Sequence, residues 1–124
     1  MDFIPYKAHE CFDYLYYPIP MELFFNKKYK GKIKSAGKLL YGFLLNRLSL
    51  SAKNNWVDEN GDIFLIFTRK EVQERLDLSD KTVTKAFKQL KDCKLIHEKR
   101  QGANKPNLIY LSLIHIWRCR RLVE

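Results

Sequence analysis

Between Thr68 and Leu90 the chain carries two capped helical patterns with only a few residues between them, and this order constrains the fold more than any other feature. Thr68 and Glu71 stand at capping-box spacing: the threonine can cap a helix start and the glutamate can reach back to it. Val72 and Leu76 then lie four apart on one helical face. Leu76-Asp77-Leu78-Ser79 breaks the run, and Ser79 is a good N-cap for a second helix. In that helix Val83, Ala86, Phe87 and Leu90 fall at i, i+3, i+4 and i+7, one buried stripe. Lys81, Thr82, Thr84, Lys85, Lys88 and Gln89 are left to face outward. Two short helices, a tight turn and a basic outer face on the second helix form the pattern of a helix-turn-helix, whose second helix enters the DNA major groove.

The next segment extends that pattern. Residues 95–100 and 108–111 are strand candidates, and residues 101–107 between them form a loop punctuated by Gly102 and Pro106. A two-stranded ribbon with a basic tip, directly after the second helix, is a wing. A small helical domain with a surface hairpin and no nucleic-acid partner would show the same apolar stripe, so the distribution of charge matters.

The net charge is +9 and points to a polyanionic partner. Lys27, Lys28, Lys30, Lys32, Lys34 and Lys38 follow one another with no acidic residue between them. From Ser79 to Lys105 eight basic residues face three acidic ones, Asp80, Asp92 and Glu98. One such cluster is ordinarily a solvated face; two, one of them on the helix-turn-helix, favour a nucleic acid. At 124 residues, 46% of them hydrophobic, the chain can bury one core but would be crowded as two domains. No apolar run approaches the ~18 residues of a membrane span. Asp2, Pro5, Lys7, His9 and Glu10 interrupt any signal-peptide pattern. Three widely spaced cysteines, Cys11, Cys93 and Cys119, suit free thiols in a reducing cytoplasm.

Upstream, the aromatics Phe3, Tyr6, Phe12, Tyr14 and Tyr16 suggest an arm that packs on something. Tyr17-Pro18-Ile19-Pro20 must be extended, and Pro20 can open a short helix from Met21 to Phe25. Residues 26–34 read as a polar, lysine-rich loop. Ser35 is expected to cap a helix running from Ala36 to about Ser51, with a broad apolar face of Leu39, Leu40, Phe43, Leu44 and Leu48 and with Arg47 at its edge. Gly37 and Gly42 weaken that helix locally or let another backbone approach. Residues 56–67 read as a hairpin whose Asn60-Gly61 turn would pair residues 57–59 with 62–64. Ile63, Phe64, Leu65, Ile66 and Phe67 are apolar without interruption, which predicts cover on both faces.

Catalytic and metal patterns are weak or missing. There is no phosphate-binding Gly-x-x-x-x-Gly-Lys-Ser/Thr loop, no His-Glu-x-x-His and no Gly-x-Ser-x-Gly. Asp58, Glu59 and Asp62 flank an Asn-Gly turn, which is ordinary turn chemistry. His9, Cys11, Cys93 and His97 could supply zinc ligands, but their spacing fits no common zinc module. A buried thiol at the end of the second helix and a surface histidine are the expectation. The chain is therefore expected to be no enzyme and to use no metal, cofactor, membrane or small-molecule substrate.

The tail is unusual. Residues 111–121 match, codon for codon, the translation of a common transposase-based sequencing adapter if TGA is read as Trp117. Residues 112–124 are accordingly expected to be largely non-native. Removing Arg118, Arg120, Arg121 and Glu124 takes the charge from +9 to +7, so the basic signal does not depend on them.

With the wing and helix-turn-helix in place, the chain resembles the N-terminal domain of RepA-type plasmid replication initiators of Gram-positive bacteria. The residues that carry the resemblance are Tyr17 to Phe24, the Asn46-Arg47-Leu48-Ser49-Leu50-Ser51 run, the Trp56-Val57-Asp58-Glu59-Asn60-Gly61 hairpin, and Arg100-Gln101-Gly102 with Lys105-Pro106-Asn107-Leu108-Ile109-Tyr110. The resemblance covers roughly residues 16–110, and residues 1–14 match little of it. It implies a winged-helix domain that binds repeated sites in a plasmid origin, usually as a dimer, with a further C-terminal region. A winged-helix transcriptional regulator and a winged-helix protein-interaction module are the alternatives.

The expected architecture is one α+β winged helix-turn-helix at residues 17–111, with an N-terminal arm at 1–16 and a β-hairpin before the helix-turn-helix. Its expected partner is double-stranded DNA, with a homodimer as the assembly. Lys81, Thr82 and Lys85 are candidates for base edges, at the N-terminal end of the second helix. Lys70, Ser79, Thr84, Lys88 and the wing residues Lys99, Arg100 and Lys105 are candidates for phosphates.

Overall fold

The computed structural model describes residues 3–5, 7–8 and 16–112. Seven elements follow in order: α1 (Glu22–Phe25), α2 (Ser35–Lys53), β1 (Leu65–Ile66), α3 (Arg69–Leu76), α4 (Asp80–Asp92), β2 (Ile96–Lys99) and β3 (Leu108–Leu111). The three strands make one antiparallel sheet in the order β1-β3-β2. Leu65 pairs with Ile109 and Ile66 with Leu108, while Ile96 to Lys99 pair with Leu111 to Leu108. A helix, a short strand, two helices and a ribbon whose second strand returns to pair with the first is the winged-helix arrangement. The expected α+β class and element order stand.

The core lies between α2, α4 and the sheet. Leu40, Phe43 and Leu44 meet Val83, Phe87 and Leu90 and the inward strand residues Leu65, Ile96 and Ile109, all buried. α2 starts one residue earlier than expected, with Ser35 inside the helix rather than capping it. It is also buried around more of its circumference than one apolar face would need, because the Tyr17-Pro18-Ile19 segment lies across it. Tyr17 meets the edge of the Phe43 ring at 5.7 Å. Gly42 makes that strap possible: a Cβ there would stand 2.7 Å from Ile19 Cγ1 and 3.1 Å from the Pro18 carbonyl oxygen. Tyr41 closes the far end of the core by donating its hydroxyl to the Ser112 carbonyl at 3.0 Å. Burial, then the neighbouring Tyr29, push its phenol up to about 12.

Three expectations need correction. The short helix begins at Glu22 with Met21 as its N-cap, so Pro20 precedes the cap. The hairpin turn is three residues long, not two. Asp58 N–H donates to the Asp62 carbonyl and Val57 bridges to Ile63, leaving residues 59–61 as the loop. The Asp58 carboxylate decides this, since it accepts the N–H groups of Asn60 at 2.9 Å and Asp62 at 3.0 Å. Gly61 supplies the left-handed φ of 85° that such a loop needs at its end. The one-residue change of register exchanges the faces of one strand's side chains relative to the other's. Finally, the apolar run at residues 63–67 is not covered on both sides. Only Leu65 is buried, and Phe64 is half-covered by Trp56, stacked at 6.3 Å, and by the Tyr110 ring.

Phe3 and Ile4 in the arm are exposed. Tyr6, His9, Cys11, Phe12 and Tyr14 lie outside the described residues. So does the adapter-like tail apart from Leu111 and Ser112, whose backbone N–H donates to the Leu95 carbonyl. Among the described residues no helix is long and apolar enough to cross a membrane.

Candidate nucleic-acid interface

The helix-turn-helix forms from the local signals that announce it. Thr68 Oγ1 accepts the Glu71 N–H at 3.1 Å, and Glu71 Oε1 accepts the Thr68 N–H at 3.1 Å, completing the capping box. Asp77 ends α3 in the left-handed region at φ 54°, which turns the chain within three residues. Ser79 then caps α4, its Oγ accepting the Thr82 N–H at 3.3 Å. Val83, Ala86, Phe87 and Leu90 are the buried residues of α4.

With the inner stripe so placed, Lys81, Lys85 and Lys88 at i, i+4 and i+7 share the opposite face, and all three are exposed. Thr82 is half-buried beside this face, its hydroxyl 2.8 Å from Ser79 Oγ. Thr84 is exposed on the other side. Gln89 does not face outward as expected: it is half-buried, and its Oε1 accepts the Lys34 N–H at 2.8 Å.

The remaining nominated residues divide into two groups. Lys105, at the wing tip, shares a groove with Thr68, Arg69, Glu98 and Asn107, next to Lys70 near the start of α3. Lys70, Arg100 and Lys105 are exposed. Lys99 is exposed too, but it alternates with Glu98 along β2 and so stands on the ribbon face away from α4. There it lies with His97, Tyr110 and Asp58. Asp58 is held below the usual carboxylate range chiefly by the Asp62 N–H, with Tyr110, Asn60 and the Lys99 charge adding to this against the opposing effect of burial.

The residue that joins these parts was not legible as such. Glu98, the acid within the basic wing, has a side chain only 6% exposed. It accepts Arg69 through both oxygens, at 2.9 and 3.2 Å, and Lys91 at 2.7 Å, with Asn107 Nδ2 at 3.4 Å. Burial alone pushes this carboxyl up; the bonds from Arg69 and Lys91, the Arg69 charge and Asn107 outweigh it and hold the group at about 2. The Arg69 guanidinium also lies 3.6 Å above the Phe87 ring. One carboxylate thus ties the start of α3, the end of α4 and the wing to each other. The lone clue in the sequence is an acid alternating inward between lysines on a strand.

Cys93 caps the end of α4, half-buried, its thiol 3.9 Å from the Lys28 carbonyl and pushed up by burial. His97 is exposed beside Tyr110. Among the described residues no three His, Cys, Asp or Glu side chains converge as a metal site.

Comparison with known proteins gives this geometry a context. A solved structure described as an N-terminal domain of a DNA binding protein is 30% identical, with a TM-score of 0.74 over 99% of this chain and 97% of that one. A second, described as a Rep–DNA complex, is also 30% identical, with a TM-score of 0.74 over 98% and 96% of the two chains. A third, described as an MDR initiator, is 29% identical at a TM-score of 0.70, covering 98% and 99%. A 41 kDa protein of Lactobacillus helveticus is 30% identical over 112 residues, and the match spans 86% of this chain but 31% of that protein. The family model for the N-terminus of replication initiator protein A matches residues 15–120, and the chain belongs to that family.

Proposed function

We propose that this domain binds double-stranded DNA in a sequence-specific way, as the N-terminal part of a plasmid replication initiator that acts in the cytoplasm on repeated origin sites. The observation that carries the reading is the exposed Lys81, Lys85, Lys88 stripe on α4, whose opposite face is wholly spent on the core. A capped helix held this way can enter a major groove without losing its packing. Lys81, Thr82 and Lys85 read base edges, and Lys85 is best placed to donate to guanine. Lys70, Ser79, Thr84, Lys88, Arg100 and Lys105 meet phosphates, while Lys99, on the ribbon face away from α4, is left out of the contact. Ser79 and Thr82 each have a hydroxyl engaged in the cap, so the Thr82 methyl is its free recognition group. The role is binding, with no chemical step assigned to this domain. Family membership and the likeness to a structure described as a Rep–DNA complex support the reading.

The test is a competition titration of preferred against random duplex at several salt concentrations. Lys85→Ala should cost ~1–3 kcal/mol on the preferred site and relax preference at one position. Lys105→Ala should weaken all sequences alike and lower the salt slope by about one unit. Equal small losses on specific and random DNA for both variants would show that α4 is not the reading element.

Repeated sites favour a two-fold dimer, since site symmetry mirrors protein symmetry. The reading assigns its surface to the arm together with Trp56 and Phe64; among the described residues of that surface Phe3 is 89% and Tyr16 63% exposed, and Trp56 is exposed as well. Light scattering at high concentration should show a dimer that removal of residues 1–14 weakens. A monomer in both samples rules this surface out.

A further inference from the structure

The lysine-rich segment before α2 is not a loose loop. Tyr29 and Ile33, four residues apart, are 5% and 1% exposed and pin it to the core. Two overlapping turns carry the segment, with Lys30 N–H donating to the Asn26 carbonyl and Ile33 N–H to the Tyr29 carbonyl. Asn26 accepts the Lys28 N–H through its side chain at 3.0 Å and donates to Glu22 at 3.0 Å. Gly31 makes the reversal at φ 79°. Because the two anchors turn inward, Lys27, Lys28, Lys30, Lys32 and Lys34 are all exposed.

This charged turn is docked on α4. Gln89 Oε1 accepts the Lys34 N–H, and the Cys93 thiol lies against the Lys28 carbonyl. Gln89 and Cys93 are one helical turn apart and so share a flank. Lys91, which carries the ion pair to the wing residue Glu98, is two residues from each, roughly 200° around the helix axis. The wing and the lysine turn therefore sit on opposite flanks of α4, with the Lys81, Lys85, Lys88 stripe between them. A helix in a major groove has one phosphate strand on each side. The wing can reach only one of them.

We propose that residues 26–34 form a second phosphate-contacting element, which grips the DNA strand on the flank of α4 opposite the wing. The inference rests on the DNA-binding reading given above and adds a place on the DNA for a segment to which that reading assigns no contact. The backbone that carries these lysines is already fixed to the reading helix, so the segment loses little freedom on contact and positions α4 rather than merely attracting DNA. Asp92, beside Lys28 and Lys32, offsets one of the charges.

The test compares the unaltered chain with a loop variant, Lys28→Gln, Lys32→Gln, Lys34→Gln, and a wing variant, Arg100→Gln, Lys105→Gln, and with all five changes combined. Each is titrated with a random-sequence duplex from low to moderate salt, so no knowledge of the preferred site is needed. The altered side chains are all exposed, and far-UV circular dichroism checks that the folds match. The loop variant should lower the salt slope by about two to three units, near 0.9 per lost contact. The combined variant should lose the sum of the two separate decrements, because different phosphates are involved. A loop variant that keeps its slope to within a few tenths, while the wing variant loses its share, overturns the inference and leaves the DNA-binding reading standing. A combined loss no larger than the wing's own also overturns it. Failure of the unaltered chain to bind any duplex overturns both.

Discussion

Replacing Glu98 by Gln keeps the shape of the side chain and removes the charge that joins α3, α4 and the wing. In the folded protein that carboxyl sits at about 2, against an ordinary value of 4.5. That gap corresponds to roughly 3 kcal/mol. Arg69 and Lys91 have side chains 35% and 45% exposed, so solvent screens their attraction and rehydrates them when the anion is gone. About half of the figure survives that screening, leaving roughly 1–2 kcal/mol. The folded value lies below the unfolded one, so the stabilisation is complete above about pH 4.5 and is lost as pH falls through about 2. Urea denaturation of the unaltered protein and Glu98→Gln, from neutral pH downward, reads the effect as a difference in which the other carboxylates largely cancel. The unaltered protein should be the more stable by roughly 1–2 kcal/mol near pH 7, with the difference closing towards pH 2. Equal stability near pH 7, or a difference that persists unchanged into acid, refutes the account of Glu98 as an ionic tie.

Two further substitutions test the packing that carries α4. Phe87→Ala should cost about 3–5 kcal/mol in the same denaturation assay, because the ring is 1% exposed and also supports Arg69; a loss below about 1 kcal/mol would mean that the site collapses freely. Gly42→Ala should gain about 1 kcal/mol of helix propensity yet lose about 1–3 kcal/mol to the clash with Ile19 and the Pro18 carbonyl, giving a lower melting temperature. A higher melting temperature would show that the Tyr17-Pro18-Ile19 strap moves aside easily.

What the sequence determined by itself is the set of features whose causes lie within one or two turns of chain. The Thr68–Glu71 box, the Ser79 cap and the Val83, Ala86, Phe87, Leu90 stripe are legible because helical geometry converts spacing into proximity. The wing strands and the basic excess on the outer face of α4 follow in the same way, as do the glycines that admit a close neighbour. The hairpin register was local too, but two turn chemistries competed there, and the Asp58 carboxylate prevailed over the Asn60-Gly61 pair. The rest was decided by tertiary structure. Glu98 meets Arg69 from 29 residues away, and Gln89 meets Lys34 from 55 away, so no spacing rule could pair them. The sequence places lysines in two clusters and an acid among them; only the packing of α2 and α4 sets the lysine turn and the wing on opposite flanks of one helix, because burial of the shared core fixes which way every other side chain must face.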